Sequence, residues 1–348
     1  MRGLTLAAHG GVEQVLYRTD LPDPELAAPT DVRVRVQAAA LNRLDLFVLE
    51  GIPGVRLAPN WVPGGDAAGV IDQVGSAVDG VAVGDRVIIN PGLSDRTCEF
   101  CQKGEQSECV RYRLLGEHAP GTFADYVVVP AANVRRIPPT IPIETAAAFT
   151  LATLTAWRML VTKARVAAGE TVLIWGIGGG VAVAALQIAL ARGARVWVTS
   201  GRDDKLAWAA AMGAEVGFNH RTTDVAESVR ARTGKRGVDV VVDSVGSATW
   251  GQSLRSLARG GRVVTCGGTS GPMLEIDVRR LFWNQWTIMG STMGNDREFD
   301  AVADEFRHGR LVPPVDSVHP LGESGGRAAY ERLASGDQRG KVVLRVDV

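Results

Sequence analysis

The stretch from Thr171 to Leu190, TVLIWGIGGGVAVAALQIAL, constrains the fold more than any other part of the chain. A short apolar run, Val172 to Trp175, meets a cluster of glycines at Gly176, Gly178, Gly179 and Gly180, and from Val181 onward a long apolar segment of good helix formers follows. That order predicts strand, tight turn, helix. Glycines in such a turn let the backbone come close to a pyrophosphate, whose charge is held by the unpaired amides and the positive dipole end of the next helix. An ordinary turn can carry the same glycines, so the surroundings have to decide. RVWVTS at 195–200 is a second buried strand with a polar helix start at Arg202 to Lys205, and VDVVVD at 238–243 and RVVTC at 262–266 are further apolar runs with helical segments between them. Strands alternating with helices predict a parallel sheet covered on both faces. The glycine turn follows the first strand of the series, where a dinucleotide fold has its phosphate site. The expectation is a doubly wound α/β domain of Rossmann type.

With 348 residues the chain has room for two domains with full cores. Lysine plus arginine equals aspartate plus glutamate at 38 each, so nothing points to nucleic acid or to an anionic membrane surface. The start, MRGLTLAAHGGVEQV, lacks the apolar core of a signal peptide, and no later segment is long and apolar enough to span a bilayer. A soluble cytoplasmic protein acting on a small molecule is expected. Of four cysteines, three fall between 98 and 109, which suits a metal cluster better than a disulfide framework. The first hundred or so residues read as short strands: VRVRV at 32–36 alternates with period two, and 69–74 and 86–89 are further candidates. A small, strongly bent β domain therefore precedes the Rossmann unit, with Pro138, Pro139 and Pro142 marking the crossing.

Several motifs carry a resemblance that spans essentially the whole chain: PGGDAAGVIDQVG at 63–75, VGDRV at 83–87, the cysteine loop at 95–109, GTFADYVVVP at 121–130, the glycine turn, and GKVVL at 340–344. Together they resemble the medium-chain dehydrogenase/reductase superfamily. The resemblance implies a GroES-like β-rich catalytic domain over residues 1–150 and 293–348, and a Rossmann domain over 151–292 that binds NAD(H) or NADP(H). It also implies an active site in the cleft between the domains.

In the zinc-type alcohol dehydrogenases of that superfamily a cysteine, a histidine and a second cysteine bind the catalytic zinc. The matching positions here are Asn42, Gly65 and about Leu151. Glycine and leucine offer no lone pair, and an amide oxygen is a poor zinc donor beside thiolate or imidazole. Asn42 and the PG-x-DxAG pattern resemble instead the quinone oxidoreductase branch, whose members use NADPH and no metal on quinones or activated double bonds. Without a Lewis acid a simple alcohol is a difficult substrate. A conjugated acceptor spreads the developing charge as a phenolate or enolate that a few hydrogen-bond donors can stabilise. Asn42 is a candidate donor, or a residue that fixes the nicotinamide ribose, or the cap of a helix over 43–50. Arg43 and Asp45 either face the cleft or are solvated polar residues on that helix, the second being the plainer reading. Thr155 matches a threonine that the superfamily packs against the nicotinamide, unless its hydroxyl bonds its own helix.

NAD-specific sites usually carry an acid at the end of the second strand, and here that position is Ser200, followed by Arg202 and Lys205. A missing carboxylate with added cations suits the 2′-phosphate of NADP(H), and His220 and Arg221 after the third strand would close the same pocket. Against this, Asp203 and Asp204 stand nearby, and Arg202 and Lys205 also fit a solvated helix start. The turn reads G-x-x-G-x-x-A at Gly176, Gly179 and Ala182. The loops 243–246, beginning at Asp243, and 266–269, containing Gly267, should border the cofactor. Lys341 matches a basic residue that the family has near the pyrophosphate, or is a surface lysine.

Members of the superfamily often hold a structural zinc with the spacing C-x2-C-x2-C-x7-C, matched here by Asp95, Cys98, Cys101 and Cys109. A carboxylate with three thiolates is a reasonable zinc set; the alternatives are an empty lobe of reduced thiols, or Asp95 turned outward with water in its place. Cys266, apart at a strand end, reads as a small core residue. QWTIMG at 285–290 reads as a sixth strand on a sheet edge, which related proteins pair across a twofold axis, so a homodimer or homotetramer is expected. Three functions fit: a metal-free NADPH-dependent reductase of quinones or α,β-unsaturated carbonyls, a zinc-type alcohol dehydrogenase-like enzyme, or a non-catalytic NADPH-binding protein.

Overall fold

The computed structural model describes residues 1–346, and the chain divides into two compact units. One comprises Met1–Ala152 together with the chain from Gly294 onward, the other Thr153–Met293.

The second unit is built on six parallel strands in the spatial order Val216–Asn219, Arg195–Ser200, Thr171–Ile174, Val238–Val242, Leu257–Thr265, Thr287–Gly290. All four residues of Thr171–Ile174 are buried, as a strand covered on both faces requires. The helix Gly180–Ala191 is apolar nearly all round and buries seven residues, among them Val183, Leu186 and Ile188. Strand order reverses on either side of Thr171–Ile174, so the glycine turn at its end lies at the switch point where doubly wound sheets bind ligands.

The first unit is a bent antiparallel sheet organised by the ten-residue strand Asp31–Ala40. On one side it pairs along its length with Asp66–Val74. On the other, its first half pairs with Tyr126–Pro130 and its second half with Lys341–Arg345. Val32, Val34 and Val36 of VRVRV all point into the core, while the intervening arginines are half-buried. Two register shifts, between Arg33 and Val34 and between Val36 and Ala38, bend the strand. Gly69 sits across from the bend, where a Cβ would come within 2.1 Å of the Arg35 carbonyl oxygen. A GroES-like β domain and a Rossmann domain are thus both present.

The prolines do not mark the crossing. Residues 138–142 lie inside the first unit, where Arg86 donates to the carbonyls of Pro138 and Ile141 at 2.8 and 2.9 Å. The chain leaves that unit farther on, within the helix Thr150–Trp157. Among the described residues no helix is long and apolar enough to cross a membrane.

Candidate active site and metal centre

In the Rossmann unit, Gly176 and Gly178 have φ of 72° and 118°, a region that side chains with a Cβ disfavour. The turn is tied to the second strand: the Gly176 N–H donates to Thr199 Oγ1 at 3.1 Å, and the Ile177 N–H to the Thr199 carbonyl at 2.8 Å. Gly179 is the N-cap of the helix that Gly180 and Val181 open. A Cβ on Gly179 would meet nothing nearer than 3.8 Å, and one on Gly267 nothing nearer than 3.4 Å. Packing within the protein does not demand glycine at these two positions, and the room beside a helix N-terminus is what a dinucleotide phosphate needs.

At the ends of the second and third strands, Ser200 is buried and its Oγ accepts from the Arg202 N–H at 3.1 Å. Arg202 grips Asp204 at 2.9 and 3.0 Å, and Asp203 accepts from Asn219 at 2.7 Å. Arg202 is therefore already neutralised by its own helix. Lys205 is buried, so it is no part of a solvated helix start. The side chains that lie over Gly201 are those of Arg221 and His220: a Cβ there would fall 2.7 Å from Arg221 Nε and 3.2 Å from His220 Nε2. Burial, and then the Arg221 charge, lower the His220 pKa, while no residue among those described accepts from the Arg221 guanidinium.

Asp243 requires a correction. Its side chain is fully buried and accepts from the Val245 and Gly246 N–H groups and from the hydroxyls of Thr249 and Ser253, the last at 2.6 Å. It anchors its own loop and has no face to turn to a cofactor. Thr155 is also buried, and its hydroxyl donates to Met293 Sδ at 3.5 Å, not to its own helix. Burial and then the nearby Asp243 charge push the Cys266 thiol up to about 12, so it remains a thiol.

The β unit brings together residues that lie far apart in the chain. Asn42 precedes the helix Arg43–Glu50 as its N-cap, and Asp45 accepts from the Asn42 backbone N–H at 2.6 Å. The Asn42 amide nitrogen donates to Asp66 Oδ2 at 3.0 Å and weakly to the Ala40 carbonyl at 3.4 Å, while its oxygen accepts from Lys341 Nζ. Lys341 also donates to Asp66 Oδ2 at 2.9 Å, and Asp66 Oδ1 accepts from the Leu151 N–H at 2.7 Å. Asp66 thus ties a helix cap, a strand and the start of a second helix to one carboxylate. All four polar side chains are at most 8% exposed.

Three expectations change here. Asp45 is buried, not solvated, although its neighbour Arg43 is exposed. Lys341 is neither a surface lysine nor a free cation for a pyrophosphate, because a buried ammonium held by a carboxylate is stabilised only while that partner remains. Asn42 does cap its helix, but its amide turns inward, and only the hydrogen bonded weakly to Ala40 has slack for a ligand. Burial pushes the Asp45 carboxyl up to about 7. Burial, and then the Asp45 charge, also hold the Tyr330 phenol well above its usual range; its hydroxyl is buried with no hydrogen-bond partner among the described residues. Asp66 was readable as the acid next to Gly65 in PGGD, whereas nothing local marks Tyr330.

The cysteine lobe also lies in this unit. One donor atom from each of Asp95, Cys98, Cys101 and Cys109 lies within 4.8 Å of the others. Asp95 Oδ1 accepts from the Thr97 and Cys98 N–H groups at 2.9 and 3.0 Å, which holds its carboxyl well below the usual range. The carboxylate and the three thiols thus form one converging donor set. Three sulfurs and one oxygen converging from a loop with little apolar content fit zinc.

The family described as the alcohol dehydrogenase GroES-like domain matches residues 28–139, and that described as zinc-binding dehydrogenase matches residues 180–308. This chain belongs to the medium-chain dehydrogenase/reductase superfamily. A solved NAD-dependent alcohol dehydrogenase superposes with a TM-score of 0.94 at 42% identity, covering 100% of both chains. Human quinone oxidoreductase is 27% identical over 351 residues, 99% of this chain and 97% of its own. The 2-octenoyl-CoA carboxylase reductase CinF, solved with NADP and 2-octenoyl-CoA, gives a TM-score of 0.89 at 27% identity, covering 99% of this chain and 87% of CinF. The protein is accordingly an oxidoreductase of the alcohol dehydrogenase superfamily. At the superfamily's catalytic zinc position, a Cβ on Gly65 would meet Leu151 Cδ1 at 3.1 Å and Pro91 Cβ at 3.6 Å. Two of the three ligand positions are thus an apolar contact.

Proposed function

We propose that this protein is an NADPH-dependent reductase of quinones or α,β-unsaturated carbonyl compounds that works without a catalytic zinc. The observation that carries the reading is Leu151 packed against Gly65 where a thiolate and an imidazole would have to be. An apolar wall there favours an acceptor that disperses its own charge over one that needs a cation at oxygen. NADPH, when bound, supplies the hydride.

The chain's own part is to bind and orient. Amides at the head of the helix Gly180–Ala191 would hold the pyrophosphate. Ser200, in place of an acid, leaves the ribose end free of repulsion, and Arg221 with His220 supplies a donor pair for the 2′-phosphate. Arg202 is the weaker candidate because of Asp204. Thr155 would be the residue that packs against the nicotinamide. Asn42, its amide aligned by Asp66 and Lys341, is the candidate donor to the charge that develops on the acceptor. CinF, solved with NADP and an enoyl thioester, and human quinone oxidoreductase support this reading by likeness, whereas the NAD-dependent relative makes the nucleotide the first thing to test.

Asp95, Cys98, Cys101 and Cys109 hold a structural zinc that takes no part in hydride transfer. The strand Thr287–Gly290 ends the sheet, and the helix before it, Val278–Asn284, buries no residue and leaves Phe282 63% and Trp283 69% exposed. An apolar edge of this kind is an association surface, and a second copy related by a twofold axis covers it in a dimer, from which a tetramer can be built.

The deciding experiment offers purified protein NADPH or NADH with a naphthoquinone, a 2-alkenal and a simple ketone. NADPH oxidation driven by the quinone or the alkenal, and not by the ketone, is expected. Turnover of the ketone alone, or of none, ends the proposal. Light scattering should give at least twice the monomer mass, and metal analysis one zinc per chain.

A further inference from the structure

The cysteine lobe has a second set of contacts that closing a loop does not require. Arg96 pairs with Asp296 at 2.7 Å, Glu105 Oε2 accepts from Asn295 Nδ2 at 3.3 Å, and Gln106 Oε1 accepts from the Asp296 N–H at 3.3 Å. The partners in these three contacts, Asn295 and Asp296, lie at the head of the helix Asp296–Arg307, where the chain re-enters the β unit at Gly294. Each of the three lobe residues is within five positions of a candidate ligand on both sides. Arg96 stands between Asp95 and Cys98 with a left-handed φ of 57°, which a residue with a Cβ keeps only where its surroundings impose it. Between Glu99 and Cys109 the lobe has one four-residue helix and one three-residue turn, and its buried side chains are the two ligand thiols and Ser107. With so little apolar content, the ligand cluster is the lobe's core.

We propose that the metal in this lobe positions the re-entrant segment 294–298: with metal bound, Arg96, Glu105 and Gln106 are presented together and hold the first turn of the helix Asp296–Arg307, and without it they disperse and that turn frays. This rests on the zinc reading above. It adds that the metal's effect reaches beyond its own loop. Met293, whose sulfur accepts from Thr155, is two residues before Asn295, so the tethered segment follows directly in the chain on the partner of Thr155. The rest of the helix is held independently by Phe299, Val302 and Phe306 in the core, so the effect belongs to its first turn.

Hydrogen exchange on the full chain tests this, with zinc content measured alongside. Stripping zinc, or Cys98→Ser, should speed exchange in the peptide 294–302 at least tenfold while the helix Glu323–Ala334 is unchanged. Arg96→Ala with Gln106→Ala should speed the same peptide while one zinc per chain is retained. If zinc binds and 294–302 exchanges at the same rate with and without it, or in the double variant, the positioning role is wrong and the zinc site stands. If the protein takes up no zinc when a zinc salt is supplied, the zinc reading fails and the proposal with it.

Discussion

The glycine turn of the Rossmann unit and the buried polar cluster of the β unit were both expected to meet the cofactor or substrate, and they are built on opposite principles. In the turn, side chains are missing: a Cβ on Gly179 would meet nothing nearer than 3.8 Å, and the helix that follows presents its N-terminal amides there. In the cluster, side chains are abundant and nearly all committed. Asn42, Asp45, Asp66 and Lys341 hold one another, and a ligand is left at most one weakly bonded N–H. A polar residue in a motif shared with a superfamily is therefore not evidence of a ligand contact until its partners are counted.

The largest effect should come from breaking the cluster. Lys341→Met leaves Asp66 buried without its cation and should cost roughly 3–5 kcal/mol of stability in a urea titration. A loss below 1 kcal/mol would mean that the cluster is solvated and able to bind ligand. Next comes pH. The Asp45 carboxyl is raised from 3.8 to about 7, so the folded chain keeps a proton that the unfolded chain releases. That proton's contribution is fully present below about pH 4 and is lost as pH rises through 7, at about 1.4 kcal/mol per pH unit. Asp45→Asn should remove this slope and gain on the native protein between pH 5 and 7; parallel stability curves would show that Asp45 is ionised throughout.

Two smaller effects sharpen the other side of the comparison. Ser200→Asp should weaken NADPH binding about tenfold or more, close to 1.4 kcal/mol, and leave NADH nearly unchanged. An unaltered preference in a binding titration would remove the 2′-phosphate assignment. Gly179→Ala should change stability by no more than about 1 kcal/mol, since only a helix cap is altered, yet lower the affinity for either nucleotide. Unchanged affinity would mean that the open room is not where the phosphate goes.

Much of this molecule was legible in local patterns. Continuous apolar runs separated by helices identify a parallel sheet because both its faces are covered, and VRVRV identifies a one-sided antiparallel strand because alternate residues face the core. The four ligand positions at 95, 98, 101 and 109 were visible because a metal loop is closed by residues near in sequence. The prolines at 138, 139 and 142 signal a turn but not which unit contains it, and they lie inside the first one.

What the sequence by itself determined is whatever depends on neighbours within about a dozen residues: strand and helix periods, the turn that glycine permits, the spacing of metal donors, and the lack of donors at Gly65 and Leu151. Only the tertiary structure decided which charges are exposed. Lys341 meets Asp66 from 275 positions away, and Asp243 turns from a candidate cofactor contact into the anchor of its loop. The reason is physical: the cost of a charge depends on the dielectric and the partners around it, and those are supplied by elements that meet only when the chain is folded.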